Sequence, residues 1–456
     1  MAASFGEKLL REVHTERLDE LLHDLRSLFP RSPGESTSQL GVKPLDALLE
    51  VFMPSLSAAQ AQIQQVGRDL YQEQQNEHEL QYIPADDEDD QIASAGDRRL
   101  PTASLSKQIN PVIEISSVSS AAGKTHLLYY LTVIAVLPST INGIRVDGLA
   151  SAVVFIDADG RFDAERLRTV ARDLIDRKFK AHFDTGTRES PEGQKAQPVF
   201  AAEELESVIA TSLQHVHVFR PQSSASLLAT LGNLQAYLLD GSCHYSSHRP
   251  LHAIFIDSAT AFFWQDKLRD DVTRTENIGR PVAEVERERN QKRVFSLSDI
   301  YAELVQSLKN LQRCFGCIVA YTCNTLNSRS VTGYQSHNQS TQQHSGPFDL
   351  ENPSNVATAR SMPSFRCPLP SPWGAFATLR LVVRRDAVRP FPPMISARDA
   401  QRDALMRQNV VLEGRFLGWV NEWEREEWPR RFVDGLKERN GGVFSFHVSR
   451  RGVECP

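Results

Sequence analysis

Apolar positions recur along this chain at two spacings, and the change between them divides it. From residue 5 to 28, Leu9, Leu10, Val13, Leu18, Leu21, Leu22, Leu25 and Leu28 fall mostly three or four apart. They predict an amphipathic helix that stops at Phe29-Pro30. Leu40 to Leu49 predicts a second short helix. Residues 57–75 are rich in Gln and Ala, and Asp86, Asp87, Glu88, Asp89 and Asp90 form a self-repelling acidic block. Residues 76–107 are therefore expected to be disordered. From Val112 onward, short apolar runs alternate with helical patterns. Strands are predicted at 112–115, 152–156, 216–219, 253–256 and 317–321, and helices from Gly123 to Pro138 and at 163–180, 227–239 and 298–313. Strands near 376–384 and 443–449 close the chain, with helical stretches at 397–410 and 419–438 between them.

This alternation predicts an α/β fold, a core whose mainly parallel central sheet is flanked by helices. Three parts follow. Residues 1–54 hold the leading helices, 55–107 form an acidic, Gln-rich linker, and 108–456 form the core. Charged or polar stretches at 182–200, 266–293 and 326–372 read as flexible insertions.

The composition narrows the class. Of 456 residues, 41% are hydrophobic and 24% charged, enough for a large core. Lys plus Arg number 51 against 57 Asp plus Glu, so the net charge of −6 excludes a globally basic nucleic-acid binder but not a local basic patch. No apolar run reaches the ~18 residues of a membrane span, and the first residues lack the apolar centre of a signal peptide. Six cysteines in so long a chain suggest no disulfide framework and a reducing compartment. Cys314 and Cys317 form a CxxC without a second pair at zinc-site spacing, which favours buried thiols.

Candidate chemistry lies at the ends of three strands. After strand 112–115 comes Val118-Ser119-Ser120-Ala121-Ala122-Gly123-Lys124-Thr125-His126. A phosphate-binding loop reads G-x-x-x-x-G-K-[ST], with backbone N–H groups around the phosphates, the Lys on the β/γ oxygens and the hydroxyl on magnesium. Gly123, Lys124 and Thr125 keep that ending, but Val118 stands where the first Gly belongs, and a β-branched residue is ill suited to positive φ. An ordinary strand-to-helix turn is the plain alternative. Strand 152–156 ends in Asp157-Ala158-Asp159-Gly160, where a carboxylate either orients a water or caps the next helix. Strand 253–256 ends in Asp257, the pattern of an acid that reaches a magnesium shell.

Longer motifs carry a resemblance. Asp157-Ala158-Asp159-Gly160-Arg161-Phe162-Asp163-Ala164-Glu165-Arg166-Leu167 resembles the Asp-Thr-Glu-Gly-x-Phe-x-x-Glu-Arg-Leu segment of the eukaryotic RecA-type recombinases. Leu40-Gly41 with Pro44-Leu45-Asp46 is similar to the family's helix before the phosphate loop. Leu128-Tyr129-Tyr130-Leu131, Asp257-Ser258 with Ala261-Phe262-Phe263-Trp264, and Phe446-His447-Val448 resemble its paralogue branch.

The resemblance implies a RecA-like core that binds ATP and Mg2+. Residues 119–126 would hold the nucleotide, and Thr125 and Asp257 the magnesium shell. Asp159 would stand for the catalytic Glu and Asn324 for the γ-phosphate sensor, which is usually Gln. Both are one methylene short, ~1.5 Å, a displacement that can cost ~100-fold in rate. The resemblance therefore implies ATP binding with weak or no hydrolysis, at most a weak DNA-dependent ATPase. It implies an accessory paralogue in homologous-recombination repair in the nucleus. Such a chain joins other paralogue subunits in a hetero-oligomer, assists the main recombinase, contacts single-stranded or branched DNA, and engages no membrane. With no room in 1–39 for the family's N-terminal DNA-binding domain, an accessory role is expected. A nucleotide-independent scaffold and a self-sufficient P-loop ATPase remain the rival readings. For DNA contact, Ser328–Pro372 with Arg329, Arg360 and Arg366, and the cluster Arg384, Arg385 and Arg389, are the candidates.

Overall fold

The computed structural model describes residues 40–53, 110–186, 202–281, 296–325, 362–386, 394–423 and 428–455, with a few single positions between them. The helix expected at 5–28, the stretch 57–75, the acidic block and the disorder expected at 76–107 lie outside the described residues. So do Arg329, Arg360 and Arg389.

Nine strands form one sheet in the order β11-β10-β9-β8-β1-β7-β6-β4-β5. The six from β8 to β5 run parallel: β8 (Leu379–Arg385), β1 (Val112–Ser117), β7 (Ile318–Asn324), β6 (Leu251–Asp257), β4 (Ala152–Asp157) and β5 (Val216–Phe219). β9 (Arg415–Val420), β10 (Val443–Val448) and β11 (Val453–Glu454) extend it antiparallel. A two-stranded hairpin, β2 (Thr140–Ile141) with β3 (Ile144–Arg145), lies apart. This is the expected α/β architecture with a mostly parallel sheet.

Strand periodicity sorts the core into two layers. Val153, Phe155, Ala253 and Phe255 face one layer; Val154, Ile156, Ile254 and Ile256 face the other. The first layer is covered by α1 (Lys43–Phe52), α2 (Lys124–Val136) and α3 (Ala164–Gly186), and the second by α5 (Ser224–Leu239) and α7 (Leu297–Phe315). Each fully buried Leu, Ile, Val or Phe contributes about 1.5–3 kcal/mol relative to exposure, and strands buried on both faces read as the continuous apolar runs of the sequence. Local signals set the helix ends. Ser296 and Asp299 form a capping box at the start of α7, and Gly316 ends it at φ 64.

The structure corrects four expectations. The insertion expected at 266–293 begins inside a helix, α6 (Phe263–Glu276). Phe263 and Asp266 are buried in it, the Ser224 hydroxyl donates to Asp266, and Arg274 pairs with Asp270 at 2.8 Å. Likewise α3 runs through 182–186, within the insertion expected at 182–200. Part of the polar stretch 328–372 packs: Cys367 and Leu369 are buried, and Asn421 both accepts from the Phe365 N–H and donates to its carbonyl. The helix expected at 419–438 is instead β9 followed by α10 (Arg430–Glu438). There the run of Phe416, Trp419 and Val420 is flanked by β8 and β10, and ladder pairing outweighs the helical spacing. Two further helices are α4 (Ala202–Leu213), which periodicity did not predict, and α9 (Ala397–Glu413); the short α8 (Ser371–Gly374) precedes β8.

Candidate functional site

The site lies at the C-terminal ends of β1, β4, β6 and β7, where open parallel sheets present ligand-binding loops. β1 delivers the chain into residues 118–123, and α2 begins at Lys124 directly beneath the loop. The left-handed backbone needed to wrap the loop falls at Ala121 (φ 57) and Gly123 (φ 90). Val118 is 45% exposed and is not among the positive-φ residues. Its β-branch therefore does not meet the steric penalty expected at that position. Gly123 is required for a second reason. A Cβ there would come within 2.9 Å of the Phe416 ring and 3.0 Å of Phe446, the stacked pair on β9 and β10 that underlies the loop.

Lys124 is buried, and its Nζ donates to Ser117 Oγ (2.5 Å) and to Asn324 Oδ1 (2.7 Å). Burial lowers its pKa, opposed by the charges of Asp257, Cys323 and Asp159. Thr125 Oγ1 donates to Asp257 Oδ2 at 2.6 Å, and Thr322 Oγ1 donates to Asp257 Oδ1 at 2.5 Å. Both Asp257 oxygens are thus held by hydroxyls across two neighbouring elements. The structure brings Lys124, Thr125, Asp257 and Asn324 together at one place. Ser119, Ser120 and Ala121 form the exposed rim of the loop, and Ala122 and Gly123 its buried turn. His126 follows Thr125 on α2; burial lowers its pKa, as does nearby Arg166.

The two acids of β4 separate by role. Asp157 is buried and accepts from the N–H groups of Arg161 (2.8 Å) and Phe162 (2.9 Å) and from Arg220 Nε (3.0 Å). It shapes the turn that carries its neighbour. Asp159 stands exposed at the rim, with the Ser258 hydroxyl 3.5 Å away. Desolvation raises its pKa, and so do the carboxylates of Asp257 and Asp157, against Arg161 and Lys124. Replacing Asp157 by Ala removes the buried acceptor of three donors in a partly buried turn. The expected cost is about 1–3 kcal/mol, read as a lower urea midpoint with the slope unchanged.

Ser117, Thr322 and Thr260 belong to the site and were not singled out in the sequence. Thr260 Oγ1 accepts from the Asn324 N–H at 3.2 Å and lies 3.2 Å from the Ser258 hydroxyl. Each lies within three residues of a strand-end motif residue, so strand-end position was the available signal. The candidate DNA contacts are only partly in view. Arg384 lies over the Trp419 ring at 5.8 Å and Arg385 over Phe416 at 6.0 Å, so both are engaged by aromatic plates. Phe416 and Trp419 are buried in the sheet, and Trp428 packs edge-on to Phe52 at 5.4 Å. Cys314 and Cys317 are buried and form no disulfide, and no cluster of metal-ligating side chains occurs among the described residues.

A hydroxyl and a carboxylate joined at 2.6 Å are hard oxygen donors of the kind magnesium takes. The desolvated ammonium of Lys124 at a helix N-terminus suits an anionic phosphate chain. The residues present therefore fit a magnesium–nucleotide.

No family model matches the chain. Over 285 residues it is 27% identical to the DNA repair protein XRCC2 homolog of Arabidopsis thaliana, a match covering 60% of this chain and 69% of that protein. It is 31% identical over 144 residues to DNA repair protein RAD51 homolog 3 of Cricetulus griseus, and 28% identical over 146 residues to DNA repair protein XRCC2 of Mus musculus. These two matches each cover 32% of this chain, and 33% and 39% of the relatives' own length. The likeness agrees with the motifs at 157–167 and 257–264 and with the mostly parallel sheet, and the chain is thus similar to the XRCC2-like branch of the RecA-type recombinase paralogues.

Proposed function

We propose that this chain is an accessory recombinase paralogue in DNA repair by homologous recombination. It acts in the nucleus, binds ATP with Mg2+, turns it over slowly or not at all, and works within a hetero-oligomer of paralogue subunits that assists the main recombinase on DNA. The observation that carries the nucleotide part is the convergence of Lys124 on Asn324 and of Thr125 on Asp257 at the ends of β1, β6 and β7. The names of the relatives support the repair role, since all three are called DNA repair proteins.

Each residue has a definite task. Backbone N–H groups of 119–125 and the Lys124 ammonium bind and orient the phosphates. Thr125 and Asp257 would hold the magnesium, which neutralises phosphate charge when bound. Asp159 would orient a water, but its carboxylate is one methylene short of the family's Glu, and Asn324 is equally short as a sensor. Binding without efficient turnover is the consequence.

Affinity purification of the tagged full chain from its native cells tests the assembly. Recovery of other RecA-type subunits in a discrete complex is expected. Long ATP-dependent homopolymers of the isolated chain on DNA, seen by sedimentation, would contradict the accessory role.

A further inference from the structure

At the sheet edge farthest from β11, four histidines meet around one serine. His215, just before β5, and His217, on β5, are 3% and 6% exposed, and Ser246 of the turn between α5 and β6 is 4% exposed. The Ser246 hydroxyl lies 2.9 Å from His215 Nδ1 and 2.9 Å from His217 Nε2. The other nitrogen of His217, Nδ1, lies 3.0 Å from the Tyr237 hydroxyl on α5. His244 packs on the His217 ring at 4.9 Å and His248 on the His215 ring at 5.8 Å.

With both buried imidazoles neutral, this chain of groups runs in one direction with one proton at each of its three contacts. Tyr237 O–H donates to His217 Nδ1, His217 Nε2–H donates to Ser246, and Ser246 O–H donates to His215 Nδ1. With both imidazoles protonated, two cations share one hydroxyl oxygen. Arg249 adds positive charge beside His215, and His244 Nδ1 accepts from the Ser246 backbone N–H at 3.1 Å. The nearby carboxylate, Asp240, is exposed and already accepts from Ser242 and Cys243.

We propose that the His215–Ser246–His217–Tyr237 network is a proton-operated latch. It holds the 240–250 turn against edge strand β5 while both imidazoles are neutral, and it releases them when both protonate. β5 is suited to such release, since among the described residues it pairs with one strand, β4, and its other edge carries none. Release would free a strand edge able to pair with another chain.

The sign follows from the burial of the rings. Desolvation, first, and then the neighbouring cations push both His215 and His217 down to about 4 in the folded protein. A free histidine titrates near 6.5. The open form therefore binds more protons between those values, so the latch is fully closed above pH ~6.5 and loosens as pH falls toward 4.

Hydrogen–deuterium exchange of the full chain at pH 7.5 and 5.5, corrected for intrinsic rates, reads the latch directly. Opening of 213–219 and 240–250 should rise at least ~10-fold at pH 5.5, while β1 and β7 keep their protection. The pair His215→Asn and His217→Gln keeps hydrogen-bonding capacity without a titrating ring and should flatten that response. Histidine C2–H exchange on the unmodified chain gives the ring pKa values and does not depend on the variant folding. Unchanged wild-type protection across the two pH values would overturn the latch. So would titration of His215 and His217 at or above the ordinary value, or a full pH response in the folded double variant.

Discussion

Lys124→Ala should weaken ATP binding by about 10- to 100-fold, the loss of one charge-assisted hydrogen bond of ~1.5–3 kcal/mol, while leaving repair close to wild type. The two halves of this expectation have separate origins. Binding suffers because Lys124 is buried beside the loop and held in place by Ser117 and Asn324. Repair should be spared because, on the proposed function, hydrolysis is weak before the substitution, with Asp159 and Asn324 both a methylene short. Titration of the purified variant with a fluorescent ATP analogue measures the first half. Survival of cells carrying the variant after exposure to a DNA cross-linking agent measures the second. Abolished repair with normal folding and partner binding would mean that turnover matters and that the weak-ATPase reading is wrong.

The second large effect is on stability. Trp373→Ala should cost about 3–5 kcal/mol, the range for truncating a buried aromatic. Trp373 is 0% exposed and packs edge-on against Tyr321 at 5.3 Å and Tyr301 at 6.0 Å. It comes directly after the polar stretch that looked unable to pack, and it locks α8 onto β7 and α7. Equilibrium urea unfolding measures this as a lower midpoint. A midpoint shifted by less than ~1 kcal/mol equivalent would show that residues 362–376 are not integral to the core.

How much was legible in the sequence depends on what each residue was asked to reveal. Parallel strands buried on both faces read as apolar runs, so β1, β4, β6 and β7 were found with their ends within a few residues. The strand-end residues Lys124, Thr125, Asp157, Asp159 and Asp257 were singled out by motif and order along the chain, and Asn324 by the family resemblance. The roles of Asp157 and Asp159 were not separable there, because capping a turn and facing a ligand use the same residue type. Only the N–H groups of Arg161 and Phe162 on Asp157 divide them. Val118 misled because the consensus places Gly at that position, whereas the loop takes its left-handed turns at Ala121 and Gly123. Thr322 was hidden inside an apolar strand, where a hydroxyl reads as β propensity rather than as a partner for a carboxylate. β9 was missed because Trp419 and Val420 follow Phe416 at three and four residues, a spacing that fits a helix as well as a strand with both faces covered.

The central claim is that this chain binds a magnesium–nucleotide and scarcely turns it over. Calorimetric titration of the purified full chain with ATP and Mg2+, with phosphate release followed in the same sample with and without single-stranded DNA, tests it most directly. The account predicts saturable one-site binding that needs Mg2+, with turnover well below the ~1–100 s⁻¹ of efficient phosphoryl-transfer enzymes. No heat of binding at any nucleotide concentration would show that the loop at 118–125 is a relic on a scaffold, and rapid turnover would show that Asp159 suffices as it stands.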